Sequence, residues 1–405
     1  MALFGKISVA MATFLILVIV GLSPSGAHAS SYSCGTSGGG VHCYGQVRWT
    51  DASEIFAAST VVWPLKLQCN GCDGFVDDEM WLADMNSPKC RTNQFGACWV
   101  EVGFIRGTGR KNTDFFWADV RPGHGFSFHW LGAINGVTDD LQFLIVKDTS
   151  QGANSTSFYV VVAQANLNAV VLHSGKSTKN SMIATTQTIG QELAGSKGSA
   201  ADAELFRLSQ VSLSSNQFAA PGALVNRSTS GVVSNDNPPL GGWLFFPANV
   251  SGGGFVTACC EKQIPVPSPN NGPAPRPLSL ERVKSLAERG PDAAGTAALQ
   301  GPFTSAERSR SQIAAFLASQ TMLGRIDVRG ARLGRVELLS ARAASDRLDA
   351  LDLGLPGATP VLLAEVAGRF AMSGPRGTRI ATFSKAELVF DARTGNLVTL
   401  MVPEN

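Results

Sequence analysis

Short apolar runs, separated by clusters of Gly, Asn, Asp and Ser, dominate the first two thirds of the chain. The clearest runs are residues 99–106, 115–120, 141–147, 157–163 and 169–173, which are rich in β-branched and aromatic side chains. Runs of this length and composition are typical of strands, and the polar clusters between them are typical of turns. The pattern predicts an all-β sandwich or jelly roll. One short helix is predicted within it, over residues 200–208.

The pattern changes in the last third of the chain. Helical spacing over residues 279–289 and 305–321 follows Ser279 and Ser305, which are suitable N-cap residues. Three alternating segments come next, at residues 361–370, 381–390 and 397–402. Helices followed by an antiparallel sheet predict a small α+β domain.

A Pro-rich stretch separates these two patterns. Residues 263–278 read as an extended linker, and all Trp, Tyr and His residues precede it. The sequence therefore predicts a β-sandwich domain over residues 30–262 and an α+β module over residues 279–405. The formal net charge is −3 for residues 30–262 and +4 for residues 263–405, which favours intramolecular docking. The alternative is a module that moves independently on its tether.

The first 29 residues have the three parts of a secretory signal peptide. Lys6 supplies a positive start, residues 7–22 are almost wholly apolar, and Ala27-His28-Ala29 offers a small-residue cleavage site. We therefore expect a secreted, extracellular protein with no membrane attachment after cleavage. An uncleaved membrane anchor is the alternative.

Eight cysteines, all before residue 261, fit an exported protein stabilised by disulfide bonds. Closeness in sequence favours the pairs Cys34–Cys43 and Cys90–Cys98. A four-thiolate zinc site formed by Cys69, Cys72, Cys90 and Cys98 is the alternative.

Composition excludes two broad classes. Hydrophobic residues make up 44% of the chain, which excludes general disorder. The formal net charge is only +2, so no nucleic-acid partner is expected.

Carboxylates in apolar strand contexts are the best candidates for chemistry. By alternation, Glu101 shares a strand face with Trp99 and Gly103, where a glycine lets a ligand approach closely. Glu79 and Glu192 lie in similar apolar surroundings. The alternative for Glu101 is a solvent-facing position on an amphipathic strand.

Several short motifs resemble the neprosin family of glutamic peptidases, across about residues 45–260. They are Glu-Val-Gly-Phe at 101–104, an aromatic strand with Trp117 and Asp119, and Gly-Gln-Glu at 190–192. Glu79-Met80-Trp81 is similar to a further motif in which the family more often has Gln. The chain departs from the family at residues 121–127, where the expected cysteine is missing.

The resemblance implies a concanavalin-like sandwich and an acid-active secreted endopeptidase. It implies that Glu101 and Glu192 form the catalytic dyad, that Glu79, Trp81, Trp117 and Asp119 contact a polypeptide substrate, and that no metal or cofactor is needed. The alternative is a non-catalytic secreted module on the same fold that binds glycan or protein. The C-terminal module resembles PepSY-like or cystatin-like exported domains, which implies binding or regulation.

Overall fold

The structure of the protein is a computed structural model. It describes residues 42–63, 74–107, 112–134, 141–148, 156–164, 170–194, 204–207, 210–214, 225–226, 232–234, 244–248, 254–258, 285, 293–373 and 380–404. The predicted signal peptide, the linker, the helix at 279–289 apart from residue 285, and the side chains of Cys34, Cys43, Cys69 and Cys72 lie outside this part of the chain. No helix within the described residues is long and apolar enough to cross a membrane.

Strands make up most of the described chain. Those of the N-terminal part are β1 (His42–Thr50), β2 (Glu54–Trp63), β3 (Phe75–Asp84), β4 (Cys98–Gly107), β5 (Asp114–Val120), β6 (Phe126–Ala133), β7 (Leu141–Lys147), β8 (Phe158–Gln164), β9 (Val171–Ser177), β10 (Thr186–Ala194), β11 (Glu204–Arg207), β12 (Gln210–Ser214), β13 (Val225–Asn226), β14 (Val232–Ser234), β15 (Leu244–Ala248) and β16 (Gly254–Ala258). A single turn of helix, α1 (Pro88–Arg91), lies between β3 and β4.

The C-terminal part mixes helices and strands. Its elements are α2 (Ala306–Ser319), β17 (Met322–Leu323), β18 (Ile326–Asp327), β19 (Arg332–Ser340), α3 (Ala341–Arg347), β20 (Pro360–Ser373), β21 (Ile380–Asp391) and β22 (Leu397–Val402). Ser305 caps α2 as predicted, because its side chain accepts a hydrogen bond from the backbone N–H of Arg308. The predicted α+β composition is therefore present in residues 293–404.

Two antiparallel sheets form the sandwich that the strand pattern predicts. The larger sheet has the strand order β14-β1-β10-β3-β4-β5-β6-β22-β21-β20-β19. The second sheet has the order β15-β16-β11-β2-β7-β8-β9, with β12 and β13 attached beside β2. Alternate residues of β4, such as Val102 and Phe104, face the second sheet, where Phe104 lies 6.0 Å from Phe143 between ring centroids. These buried rings and aliphatic chains form the core between the sheets.

The C-terminal strands extend the larger sheet. Strand β22 pairs with β6 in antiparallel register, with Thr399 opposite His129. Helix α2 and the hairpin β17–β18 contribute to a second apolar cluster, in which Phe316 and Leu323 join Phe116 and Phe128 of the sheet. Helix α2 and the hairpin β17–β18 therefore cover the face of the larger sheet that points away from the sandwich core.

Two local predictions have clear outcomes. The disulfide between Cys90 and Cys98 is confirmed, and it rules out a zinc site that uses both thiolates. The helix predicted over residues 200–208 is wrong, because residues 204–207 form strand β11, which pairs with β2 and β16. Pairing with neighbouring strands overrides the local helix preference there.

Candidate active site

Four carboxylates lie side by side on three adjacent strands of the larger sheet. In the strand register Asp77 on β3 is opposite Glu192 on β10, and Gly190 is opposite Glu79. On the other side of β3, Gly103 is opposite Glu79, so Glu101 on β4 lies on that same face. All four acids are buried. The structure thus brings together Glu79, Glu101 and Glu192, and it adds Asp77, which the sequence analysis did not select.

Arg325 enters this cluster from the C-terminal part. Its Nη1 lies 2.9 Å from Oε2 of Glu101 and 2.9 Å from Oε2 of Glu192. Its Nη2 lies 3.0 Å from Oδ2 of Asp77 and also bonds to Glu79. The planar guanidinium fork suits this arrangement, since each nitrogen can face more than one oxygen. We call these five side chains the Arg325 cluster.

The position of Arg325 follows from a tight hairpin. Leu323 pairs with Ile326, so Gly324 and Arg325 form a two-residue loop between β17 and β18. Gly324 has φ of +55°, and a Cβ there would lie 3.0 Å from the ring of Phe128. A glycine at the first central position of such a loop satisfies both constraints. The loop therefore directs Arg325 onto the carboxylate face.

Burial and mutual repulsion change the acidity of the cluster. Burial raises the pKa of Glu101 to about 7, while the Arg325 charge opposes the rise and Glu192 adds to it. Burial likewise raises the pKa of Asp77 and of Glu79 well above the usual range, again opposed by Arg325. One guanidinium faces four acids, so the cluster favours retained protons.

Neighbouring groups hold Glu192 and Asp77 in place. The backbone N–H of Glu192 donates to Oδ1 of Asp77 at 3.2 Å, which ties β10 to β3 through a side chain. Tyr44 on β1 lies opposite Glu192 and has a side-chain hydrogen bond with it. Burial and the Glu192 charge raise the pKa of Tyr44 well above its ordinary value. Tyr44 therefore remains a neutral hydrogen-bonding group beside the carboxylates.

The predicted substrate-contacting residues divide between two faces of the sheet. Trp81 lies opposite Glu101 in the register and shares its face, where Arg48 stacks over the ring at 5.8 Å. Trp117 and Asp119 are opposite Val102 and Val100, so they point into the sandwich core, away from the carboxylates. The structure does not bring these two residues to the site.

Both core-facing residues have structural partners. Trp117 stacks on His129 with ring centroids 3.7 Å apart. Asp119 accepts hydrogen bonds from Ser127 and, at 2.5 Å, from Ser177. These contacts satisfy Asp119 in the core, where an unpaired carboxylate would be costly.

Two members of the Arg325 cluster were missed by sequence reasoning. Asp77 belongs to the acidic triplet Asp77-Asp78-Glu79, which resembles a solvated turn. The spacing of two residues between Asp77 and Glu79 nevertheless indicates that the two side chains share one face of a strand. Arg325 follows a glycine in a short turn, and nothing local in the sequence relates it to β3, β4 or β10.

Three of the carboxylates also have the spacing of a cation site. Oxygens of Asp77, Glu79 and Glu192 lie within 4.8 Å of one another. Oxygen ligands of this kind suit hard divalent cations. In this structure Arg325 supplies the positive charge at that position.

Comparison with solved structures gives a structural likeness at low sequence identity. No protein-family model matches the chain, and no curated protein matches it. Among solved structures, the chain is similar to one described as the crystal structure of scytalido-glutamic peptidase with a transition state analog inhibitor. The identity is 14% and the TM-score 0.33, and the match covers 54% of this chain and 98% of that chain.

Proposed function

We propose that this protein is a secreted, acid-active endopeptidase that uses Glu101 and Glu192 as a catalytic dyad. One observation carries the proposal. Carboxylate oxygens of Glu101 and Glu192 lie 2.9 Å from the same nitrogen of Arg325, so they are separated by at most twice that distance. This is within the roughly 3–6 Å over which two acids act on one water molecule and one carbonyl.

The proposed reaction needs one proton shared between the two acids. Burial raises the pKa of Glu101 to about 7, so Glu101 holds its proton in acid. The Glu101 carboxyl then donates a hydrogen bond to the scissile carbonyl oxygen, and later gives its proton to the leaving amine. Ionised Glu192 takes a proton from the attacking water. Two interacting carboxyls with separated pKa values can divide these roles.

The remaining residues on this face would position a polypeptide. Glu79, Trp81 and Tyr44 share the face with the dyad, so they are the proposed substrate contacts. Gly103 is opposite Glu79, at a position where a side chain would collide with the backbone of Asp78 on β3.

A non-catalytic glycan-binding module is less well supported. Such a module presents exposed aromatic rings to sugars. Trp49, Trp81, Trp99, Trp117 and Trp130 are all buried, so among the described side chains no Trp platform is displayed.

The proposed function is tested by incubating the secreted protein with a denatured protein substrate over a range of acid pH. Mass spectrometry of the products identifies internal cleavage. The Glu192→Gln variant, which keeps size and hydrogen bonding, must lose that cleavage. Equal cleavage by the variant would contradict the proposal.

A further inference from the structure

We propose that the C-terminal part of the chain is a built-in inhibitor of this site, and that Arg325 is the group that blocks it. The inference rests on the proposed function for its biological meaning. The occlusion itself depends only on the contacts that Arg325 and its hairpin make.

The carboxylates have no access to solvent when the hairpin is in place. Glu101 is 1% exposed and Glu192 0%, and Arg325 itself is only 6% exposed. The hairpin also packs apolar side chains against the sheet, since Leu323 and Ile326 belong to the same buried cluster as Phe116 and Phe128. A polypeptide therefore cannot reach the dyad until the hairpin moves.

Arg325 occupies the position that the reaction requires. Its Nη1 contacts one oxygen of Glu101 and one of Glu192, each at 2.9 Å. A water molecule that Glu192 activates would need hydrogen-bond distance to the same two groups. The guanidinium thus occupies the position of the water molecule and neutralises the Glu192 carboxylate, which would act as the base.

The surrounding groups explain why a cation is retained there. Among the described residues, the ionisable side chains that face Arg325 are Asp77 and Glu79 on β3, Glu101 on β4, Glu192 on β10 and Tyr44 on β1. The rings of Phe75 and Phe116 lie 5.8 Å and 5.5 Å from the guanidinium carbon. A buried charge with several hydrogen-bonded partners of opposite sign is held firmly, and removing one partner is strongly unfavourable.

A second contact region holds the C-terminal part on the sandwich. The Asp349 carboxylate lies 2.5 Å from Nδ1 of His124 and 2.7 Å from Nζ of Lys179. Nearby, Thr178 donates to the backbone carbonyl of Ala350 at 2.6 Å, and Asp352 accepts from the backbone N–H of Lys176 at 2.8 Å. The C-terminal part is therefore attached to the sandwich through residues other than Arg325.

Opening the site does not require the whole C-terminal part to leave. Strands β17 and β18 form a separate two-stranded sheet, whereas β19 to β22 are integrated into the larger sheet. Withdrawal of residues 322–327 alone removes Arg325 from the cluster. The moving element of the inhibitor is thus the short hairpin.

The experiment compares the full-length wild type with Arg325→Ala, Arg325→Lys and the control Arg329→Ala. Arg329 lies four residues away, is half exposed and pairs with Asp327 outside the cluster. Each protein is treated near pH 5 with a water-soluble carbodiimide and an amine, and labelled carboxyls are located by peptide mass spectrometry. Hydrolysis of a denatured protein is measured in parallel.

We expect Glu101 and Glu192 to be protected in the wild type and in Arg329→Ala. In Arg325→Ala they are labelled at least tenfold faster, and hydrolysis rises by a similar factor. Arg325→Lys, which keeps the charge but loses the fork, gives an intermediate result. The exposed Glu307 serves as the reference for full reactivity in every sample.

The outcomes separate the inference from the proposed function. Faster labelling in Arg325→Ala without any hydrolysis supports occlusion and contradicts the peptidase. Equal labelling in the wild type and Arg325→Ala overturns the inference, whatever the activity. If the Arg325 variants do not fold, the wild type alone tests the inference. Labelling of Glu101 as fast as that of Glu307 overturns it, and protection of Glu101 relative to Glu307 supports it.

Discussion

Arg325 and Glu101 are 224 positions apart in the chain, yet Nη1 of the first lies 2.9 Å from Oε2 of the second. The contact joins a C-terminal turn to the middle of the larger sheet. Since three further acids surround the same guanidinium, the charge balance of the proposed active site depends on a residue far away in sequence.

The first prediction separates the dyad from its neighbours. Glu101→Gln should lower kcat by about 10²–10⁴, because the amide can neither hold nor give the proton. Glu79→Gln should leave kcat within a few-fold and mainly raise KM, because Glu79 is proposed to position substrate. Steady-state kinetics at acid pH on the two variants measures the difference. Equal losses of kcat would contradict the assignment of catalysis to Glu101 and of substrate positioning to Glu79.

The second prediction concerns stability and pH. The pKa of Glu101 is raised from 4.5 to about 7 in the folded chain. The stability that the protonated group provides is therefore complete below about pH 4.5 and is lost as pH rises through about 7. Relative to Glu101→Gln, the free energy of unfolding of the wild type should fall by about 3 kcal/mol across that interval. Denaturant titrations at several pH values measure the change, and a constant difference would contradict it.

The third prediction concerns the glycine beside the dyad. A Cβ on Gly103 would lie 2.1 Å from the backbone carbonyl oxygen of Asp78, which a strand pair cannot accommodate without separating. Gly103→Ala should destabilise the protein by about 1–3 kcal/mol or more. At Gly107, at the end of the same strand, the nearest atom is 4.0 Å away, so Gly107→Ala is the matched control. Thermal or denaturant unfolding of the two variants measures the effect, and similar stabilities would contradict the close approach.

The fourth prediction concerns the disulfide between Cys90 and Cys98. The bond closes a short loop with a sequence separation of 8 and connects α1 to the start of β4. For a loop of this length the loss of unfolded-state entropy corresponds to about 2–3 kcal/mol. The double variant Cys90→Ala/Cys98→Ala should lose about that much stability in a denaturant titration. Because β4 carries Glu101, the double variant should also lose activity at a lower temperature than the wild type.

Much of the architecture could be predicted because strand patterns are local. The runs at 99–106 and 115–120 became β4 and β5, and the alternating segments near the C-terminus became β20 to β22. The resemblance selected Glu101 and Glu192, which the structure places together. Their catalytic roles stay a prediction, as do the domain boundaries at the linker and secretion.

What could not be predicted depends on pairing between distant strands. Trp117 and Asp119 were expected at the site, but the register places them opposite Val102 and Val100 on the core face. A shift of one residue in that pairing would have reversed the outcome. Arg325 could not be predicted for a similar reason, since only the packing of its hairpin on the larger sheet brings it to the four carboxylates.

The pairing of β22 with β6 sets an order of events during synthesis. Thr399 meets His129 across 270 positions of sequence. Chains are synthesised at about 5–20 residues per second, so β22 is made on the order of tens of seconds after β6. During that time the edge of β6 that pairs with β22 has no partner strand. An edge with unpaired backbone groups invites pairing with other chains during that interval. The yield of folded protein should therefore depend on the speed of chain elongation and on the concentration of nascent chains.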